Sequence, residues 1–300
     1  MVISVIIPTY NRDYCIARSL ESVLRQTCQD FEIVIIDDDS TDNTRDVLGP
    51  YLVDPRIRYI KHVKNQGGLA ARITGIRKAA GQHVVFLDSD DELLPNSLEV
   101  RLSALQKSGV DRALVYGDVI LAANDKRSEH RFKRLHGYSY AYLLKELSLC
   151  SFSVMMVTTS CFAVAGYYDR DFLDCDLPSW HDDYLVLSIG RHFPVIHCGF
   201  PVAIMHDSPE SITTNEQSLE LGCRRMVSKY REEILNIHGR PRLFLWNLRI
   251  LRCRVRAERQ RVAQTNKDHP RLVAIYSWSL SKVDSMMTAF LSHFFDNPYA

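Results

Sequence analysis

Asp88 and Asp90, separated by Ser89 and followed by Asp91, are the residues whose type and spacing point most directly to chemistry. Two carboxylates this close repel unless a cation lies between them or one holds a proton. Mg2+ or Mn2+ suits such a pair, because these ions take a few carboxylate oxygens and complete their shell with substrate phosphates. The same triplet also reads as an acidic turn leading into the next helix, whose first turn favours carboxylates. Asp37 and Asp38 form a second cluster, which can hydrogen-bond a base or ribose edge or can cap a turn. A third feature is basic. Arg240 to Arg261 holds eight arginines and one glutamate, with Phe244, Leu248, Leu251, Val255 and Val262 on one helical stripe. Arg249, Arg252, Arg256 and Arg259 fall on the opposite and flanking faces. This basic amphipathic helix either lies on an anionic membrane surface or packs on the protein with a solvated arginine face. No recognition motif for nucleic acid accompanies it.

The acidic clusters need elements to place them. Val2 to Ile7 and Glu32 to Ile36 read as short buried strands, the second ending at Asp37-Asp38-Asp39-Ser40. Ile16, Leu20, Val23 and Leu24 lie on one face of an intervening helix. A short helix capped by Ser40 or Thr41 is expected next, then a strand over Arg56 to His62. Gly67-Gly68 opens a helix through Ala80 that Gly81 ends, and His83 to Leu87 is a strand running into Asp88. Pro95 marks a further helix reaching Gly109, and Ala113 to Ile120 is another strand. This alternation implies an α/β fold with a parallel sheet covered on both faces. Ligands bind such sheets outside the carboxyl ends of the strands, where both acidic clusters fall. Lys126 to Tyr140 reads as irregular, Ser153 to Val164 and Val195 to Ile204 as strand-like, and the chain from Glu216 onward as helical and basic.

The chain has 300 residues, 46% hydrophobic and 24% charged, which excludes disorder, collagen-like repeats and a disulfide-stapled mini-protein. Its net charge of +1 hides an asymmetry: residues 1–210 hold 22 basic and 28 acidic side chains, and residues 211–300 hold 15 and 8. Eight cysteines form no CxxC pair or zinc-type cluster. With no secretory signal at the start and no apolar run long enough to span a bilayer, the reading is a cytoplasmic protein.

Three segments resemble successive motifs of family 2 glycosyltransferases: Ser4 to Arg12 (SVIIPTYNR), Ile33 to Thr44 (IVIIDDDSTDNT) and Asn65 to Pro95. The resemblance implies a GT-A fold, a Rossmann-like and mostly parallel sheet flanked by helices with a C-terminal helical extension. It implies a catalytic domain over 1–215, with a nucleotide-sugar half over 1–120 and an acceptor half over 121–215, followed by a basic helical extension over 216–300. Pro8, Tyr10 and Asp38 would line the nucleoside pocket, with Asp38 facing the base and Arg72 near the diphosphate. Asp88 and Asp90 match the family's Asp-x-Asp pattern, which holds Mn2+ or Mg2+, and His206 resembles a late histidine that approaches the metal. Asp183, in Trp180-His181-Asp182-Asp183-Tyr184-Leu185, takes the position of the general base, with Asp182 in place of the usual glutamate. Trp180 and Asp182 are candidate acceptor contacts, although Trp180 equally suits a core position. Asp39 stands where the family has glycine, and Ile73 where it has asparagine. The Gln-x-x-Arg-Trp pattern of processive synthases is absent.

The activity implied is inverting transfer from a nucleotide-sugar, by default a UDP-sugar, to a saccharide or lipid-linked saccharide. Bacterial O-antigen or capsule assembly is the expected setting, at the inner face of the cell membrane. Competing readings are a nucleotidyltransferase, which would open on a Gly-rich phosphate loop, and a sugar- or nucleotide-binding protein without turnover. A dehydrogenase would need GxGxxG after the first strand.

Overall fold

The computed structural model describes residues 2–123, 126–132, 140–146, 151–166, 179–206, 216–265, 281–282 and 285–287. The chain divides into two compact units. The first comprises Met1–Ser139, Leu149–Cys175 and Leu185–Ser208, and the second comprises Tyr140–Ser148, Asp176–Tyr184 and Pro209–Ala300. The sequence reading places one boundary at 215; the second unit also takes two short segments from before it.

The first unit begins β1 (Ile3–Thr9), α1 (Ile16–Leu24), β2 (Phe31–Asp37), α2 (Thr44–Leu48), β3 (Ile57–Lys61), α3 (Gly68–Lys78) and β4 (His83–Phe86). It continues with β5 (Glu92–Leu93), α4 (Ser97–Ser108), β6 (Leu114–Ala123) and β7 (Lys126–His130). After α5 (Tyr140–Glu146), which belongs to the second unit, come β8 (Met155–Thr158), α6 (Cys161–Val164), α7 (His181–Gly190) and β9 (Val195–His206). The strands form one sheet in the order β3-β2-β1-β4-β8-β6-β9-β5, with β7 paired to β6. β1, β2, β3 and β4 are mutually parallel, as expected. Beyond β4 the sheet is mixed: β8 runs antiparallel to both β4 and β6, β9 runs parallel to β6, and β5 antiparallel to β9.

Every residue of β1 and β2 is buried, which is why both read as unbroken apolar runs. Their polar exceptions are partnered, as buried polar groups must be. Ser4 Oγ donates to Glu32 Oε1 at 2.6 Å, and Glu32 also accepts from the Ala80 amide at 2.7 Å and from Arg58 at 3.0 Å.

Several helix ends differ from the sequence reading. α2 starts at Thr44 without Ser40 or Thr41 as its cap; Ser40 Oγ instead accepts the Asn11 amide at 3.0 Å. α3 ends at Lys78 because Ala79 turns extended. Gly81 does not end that helix but permits a close approach of two backbones, since a Cβ there would sit 2.6 Å from the Ser4 backbone nitrogen. Gly109 ends α4 in the left-handed conformation at φ 71°. Lys126–His130 forms a strand on β6 rather than irregular chain.

The second unit holds α5, the first residues of α7, α8 (Glu216–Lys229) and α9 (Arg231–Thr265). α9 is interrupted at Gly239 (φ 75°, ψ −177°), so Pro241 stands at the start of its second half, where a proline is tolerated. At Arg249 and Arg252 the expected solvated arginine face turns inward, while the side chains of Arg259 and Val262 lie outside the described residues. Arg242, Arg249 and Arg252 are buried, while Phe244 and Leu251 of the apolar stripe are exposed. Burial is possible because the guanidinium groups find partners: Arg242 Nε donates to the Lys145 carbonyl at 3.0 Å, and Arg249 lies over the rings of Trp180 and Trp246 at 4.9 and 5.1 Å. Among the described residues no helix is long and apolar enough to cross a membrane.

The Gly81 contact gives a test of the fold. Gly81→Ala should cost about 1–3 kcal/mol, because backbone atoms of β1 cannot yield to the added methyl, and urea unfolding would read this as a lower midpoint with an unchanged slope.

Candidate active site

The site starts from strand register. Thr9 at the end of β1 pairs with Asp37 at the end of β2, and Ile6 pairs with Phe86 at the end of β4. Parallel strands in this register bring Asp37-Asp38 and Asp88-Ser89-Asp90-Asp91 out on one edge, with β1 between them. The turn after β1 is fastened to the turn after β2. Asn11, at φ 52°, receives the Thr41 amide on its Oδ1 at 2.8 Å, the Arg12 amide donates to Thr44 Oγ1 at 2.9 Å, and the Asp13 amide donates to Asp42 Oδ2 at 3.0 Å. Asp39 takes φ 70°, the left-handed conformation that glycine or an aspartate at this position can adopt.

Asp38 is almost fully buried, and its carboxylate is engaged within the protein. Oδ1 lies 2.7 Å from His62 Nδ1, the Gln66 amide donates to both oxygens at 3.0 and 3.1 Å, and the Gly67 amide donates to Oδ2 at 2.6 Å. A carboxylate meeting two amides accepts, so His62 carries its proton on Nδ1, and its Nε2 faces Thr74 Oγ1 at 2.9 Å. The Asp38 side chain, expected to face the base, here holds the loop that opens α3. Asp37 is likewise turned inward, accepting from the Ser40 amide at 2.7 Å and from the Tyr59 hydroxyl. Burial, followed by the Asp37 carboxylate, pushes the Tyr59 phenol's pKa up, so it stays a donor. Pro8 is buried in β1, whereas Tyr10 is 43% exposed at the edge.

α3 aims Arg72 at the second cluster. Its guanidinium pairs with Asp88 and lies 4.0 Å from the centroid of the Phe152 ring, while Arg72 Nε is buried with no hydrogen-bond partner among the described residues. The Asp88 side chain is 30% exposed. Asp91, behind it, is buried and holds Ser153 Oγ at 2.6 Å. Burial, with Asp88 and Asp90 close by, raises its carboxyl well above the usual range. Arg18 donates to the Asp90 carbonyl at 2.6 Å, and Ser19 Oγ donates to the carbonyls of Ser89 and Asp91 at 2.7 and 2.6 Å, so α1 braces the turn.

His206, the last residue of β9, reaches the same turn: its amide donates to Asp91 Oδ1 at 3.3 Å. Its Nε2 lies 2.8 Å from Glu92 Oε1. Among the described residues no three His, Cys, Asp or Glu side chains gather closely enough to hold a metal alone. Asp88 and Asp90 nonetheless match the donor set of Mg2+ or Mn2+, which binds through one or two carboxylates together with phosphate oxygens.

Asp183 and Asp182 lie in the second unit, in the first turn of α7, where an anion is favoured by the helix N-terminus. Asp182 Oδ1 accepts the Asp183 amide at 3.0 Å. Trp180 is held in a strained left-handed conformation, φ 69°, and its carbonyl accepts the Tyr184 amide at 3.0 Å. Its Nε1 donates to the Leu219 carbonyl at 3.1 Å, and Gly222 packs so closely that a Cβ there would lie 2.7 Å from the indole. With Arg249 over the ring, Trp180 packs within this unit.

The profile of Glycosyl transferase family 2 matches residues 4–167. The chain is also 31% identical over 220 residues to the UDP-Glc:α-D-GlcNAc-diphosphoundecaprenol β-1,3-glucosyltransferase WfgD of Escherichia coli, covering 72% of this chain and 81% of that enzyme. The chain belongs to glycosyltransferase family 2. Other relatives match over a shorter stretch. The putative colanic acid biosynthesis glycosyl transferase WcaA of E. coli K12 is 38% identical over 120 residues, 39% of this chain and 42% of that protein. The putative teichuronic acid biosynthesis glycosyltransferase TuaG of Bacillus subtilis is 42% identical over 108 residues, 35% and 42% of the two chains. The crystal structure of residues 1–349 of S. aureus TarS superposes with a TM-score of 0.57 at 18% identity, covering 98% of this chain and 91% of that one. That likeness shows a shared GT-A fold.

Sequence reasoning missed the groups that brace the acidic edge: His62, Tyr59, Phe152, Ser153 and Glu92. His62 follows β3 on the same carboxyl edge, a position that marks it for attention. Phe152 and Ser153 arrive from a distant segment and leave no local signal. If Asp38 clamps the loop, Asp38→Ala should speed hydrogen exchange at the Gln66 and Gly67 amides by tenfold or more while leaving exchange in β1 unchanged. It should also cost about 1–3 kcal/mol, the penalty for leaving the buried His62 ring without its acceptor.

Proposed function

We propose that this glycosyltransferase transfers a sugar with inversion from a UDP-sugar to a lipid-linked saccharide, at the cytoplasmic face of the cell membrane, in bacterial surface polysaccharide assembly. The observation that carries this reading is the shared edge of β2 and β4, where Tyr10 stands exposed beside the Asp38 clamp and Arg72 is aimed at Asp88. The donor class is supported by WfgD, whose name specifies UDP-Glc, and by a TarS crystal structure in complex with UDP-GlcNAc. The lipid-linked acceptor is supported by the diphosphoundecaprenol in the WfgD name, and the polysaccharide setting by the names of WcaA and TuaG.

In this mechanism Tyr10 meets the nucleoside, Pro8 forms the floor beneath it, and Asp38 acts through the loop it holds. Asp88 and Asp90 are the residues that would hold Mn2+ or Mg2+, which neutralises charge on the departing diphosphate when bound. His206, steadied by Glu92, supports that turn from β9. Arg72 exchanges part of its pairing with Asp88 for the diphosphate, kept in plane by Phe152. Asp183 removes the proton from the attacking hydroxyl, a role taken from its place in the Trp180–Leu185 motif, while Asp182 caps the turn that holds it.

Release of UDP from a panel of UDP-sugars with Mn2+ tests the reading, followed by mass analysis of products on lipid-linked acceptors. Asp90→Ala should lower release by about a hundredfold or more. Asp183→Asn should lower kcat by about 10²–10⁴-fold with the donor KM held; a folded Asp183→Asn enzyme with native kcat removes Asp183 from the mechanism. A protein that binds UDP-sugar without transferring the sugar to any acceptor would be a binding protein.

A further inference from the structure

Beyond Gly239, α9 has more apolar surface than its packing uses. Its inner face buries Leu243, Trp246, Ile250 and Ala257 together with Arg242, Arg249 and Arg252. Phe244, Leu248, Leu251 and Val255 recur at intervals of four, three and four residues and lie together on the other side. Phe244 is 57% and Leu251 44% exposed, and Leu248 and Val255 are half-buried. A single exposed apolar side chain calls for no explanation, but four in one stripe along about 17 Å of helix form a ridge that marks an interaction surface. At 100° per residue, Arg240 and Arg254 flank this ridge on one side. Arg240 and Arg254 are exposed, and Arg254 reaches Glu220 at 3.3 Å across the surface, a pairing of little energetic weight.

We infer that this ridge seats the chain on an anionic lipid surface, with Phe244, Leu248, Leu251 and Val255 entering the headgroup boundary and Arg240 and Arg254 meeting lipid phosphates. The charge of the surroundings selects this occupant. Arg240 and Arg254 are exposed at the rim of the ridge, so a second copy would set arginine rims against each other, whereas an anionic bilayer complements them. Long arginine side chains can lay their stems along the apolar ridge and extend their charged ends to headgroups. The inference rests on the reading in which the acceptor is lipid-linked, and it names the surface that brings the enzyme to such an acceptor.

Co-sedimentation of the full chain with vesicles tests it. Vesicles of phosphatidylcholine with phosphatidylglycerol should bind the protein at low salt, and vesicles of phosphatidylcholine alone should not. The double variant Phe244→Ser, Leu251→Ser should bind tenfold or more weakly, Arg240→Gln with Arg254→Gln should weaken binding and flatten its salt dependence, and both should keep the wild-type melting temperature. Unchanged vesicle binding in the serine variant overturns the inference, as does equal binding to neutral vesicles. A wild-type dimer in light scattering that the serine variant dissolves assigns the ridge to a second copy. A melting temperature lowered by several degrees assigns it to the chain's own packing. Either result also overturns the lipid assignment. Vesicle binding needs no turnover, so binding without UDP release from any donor leaves this inference standing while the enzymatic reading falls, and turnover without vesicle binding does the reverse.

Discussion

A buried carboxylate must be ringed by donors or give up its charge, and Asp38 is the point in this fold where that demand organises its neighbours. Its oxygens are met by His62 beyond β3 and by the Gln66 and Gly67 amides at the head of α3. Through His62 the contact extends to Thr74, almost two turns into α3. One anion thus ties the end of β2, the end of β3 and the helix that follows. Because α3 is fixed at its start, Arg72 arrives against Asp88, and the two acidic clusters are coupled through a helix rather than by proximity.

The second unit solves a related problem with cations. Arg249 is buried, and its guanidinium lies between two indoles rather than in water. Aromatic faces offer partial negative charge, which helps an arginine-rich segment to pack inward. The same packing commits Trp180, whose left-handed backbone sets the start of the helix carrying Asp182 and Asp183.

What can be read from the sequence follows the range of the interactions involved. The four parallel strands, the acidic edge and the left-handed Asp39 are legible because each depends on residues close in the chain. The family motifs likewise span contiguous stretches. The antiparallel joins of β8 to β4 and β6 are not legible, since they pair segments about forty residues or more apart. Asp38 resembles a ligand-facing carboxylate in sequence because its partners at 62, 66 and 67 carry no periodic signal. The stripe on α9 is visible in the sequence, but the side it faces is not. Periodicity shows that two faces differ and leaves open which one is covered, and a pair of tryptophans reverses the ordinary expectation that arginine stays outside.

Gly239 adds a consequence of its own. An unbroken helix would lock the rotational phase of its second half to the first, so residues 231–238 would dictate where Phe244 points. At φ 75° and ψ −177° the glycine uncouples the two. The rotational setting of the ridge is therefore held by the local backbone at 239–241 and by the Trp246–Arg249 packing. In evolutionary terms the outward surface can be re-aimed through a single glycine, without redesigning the helix before it.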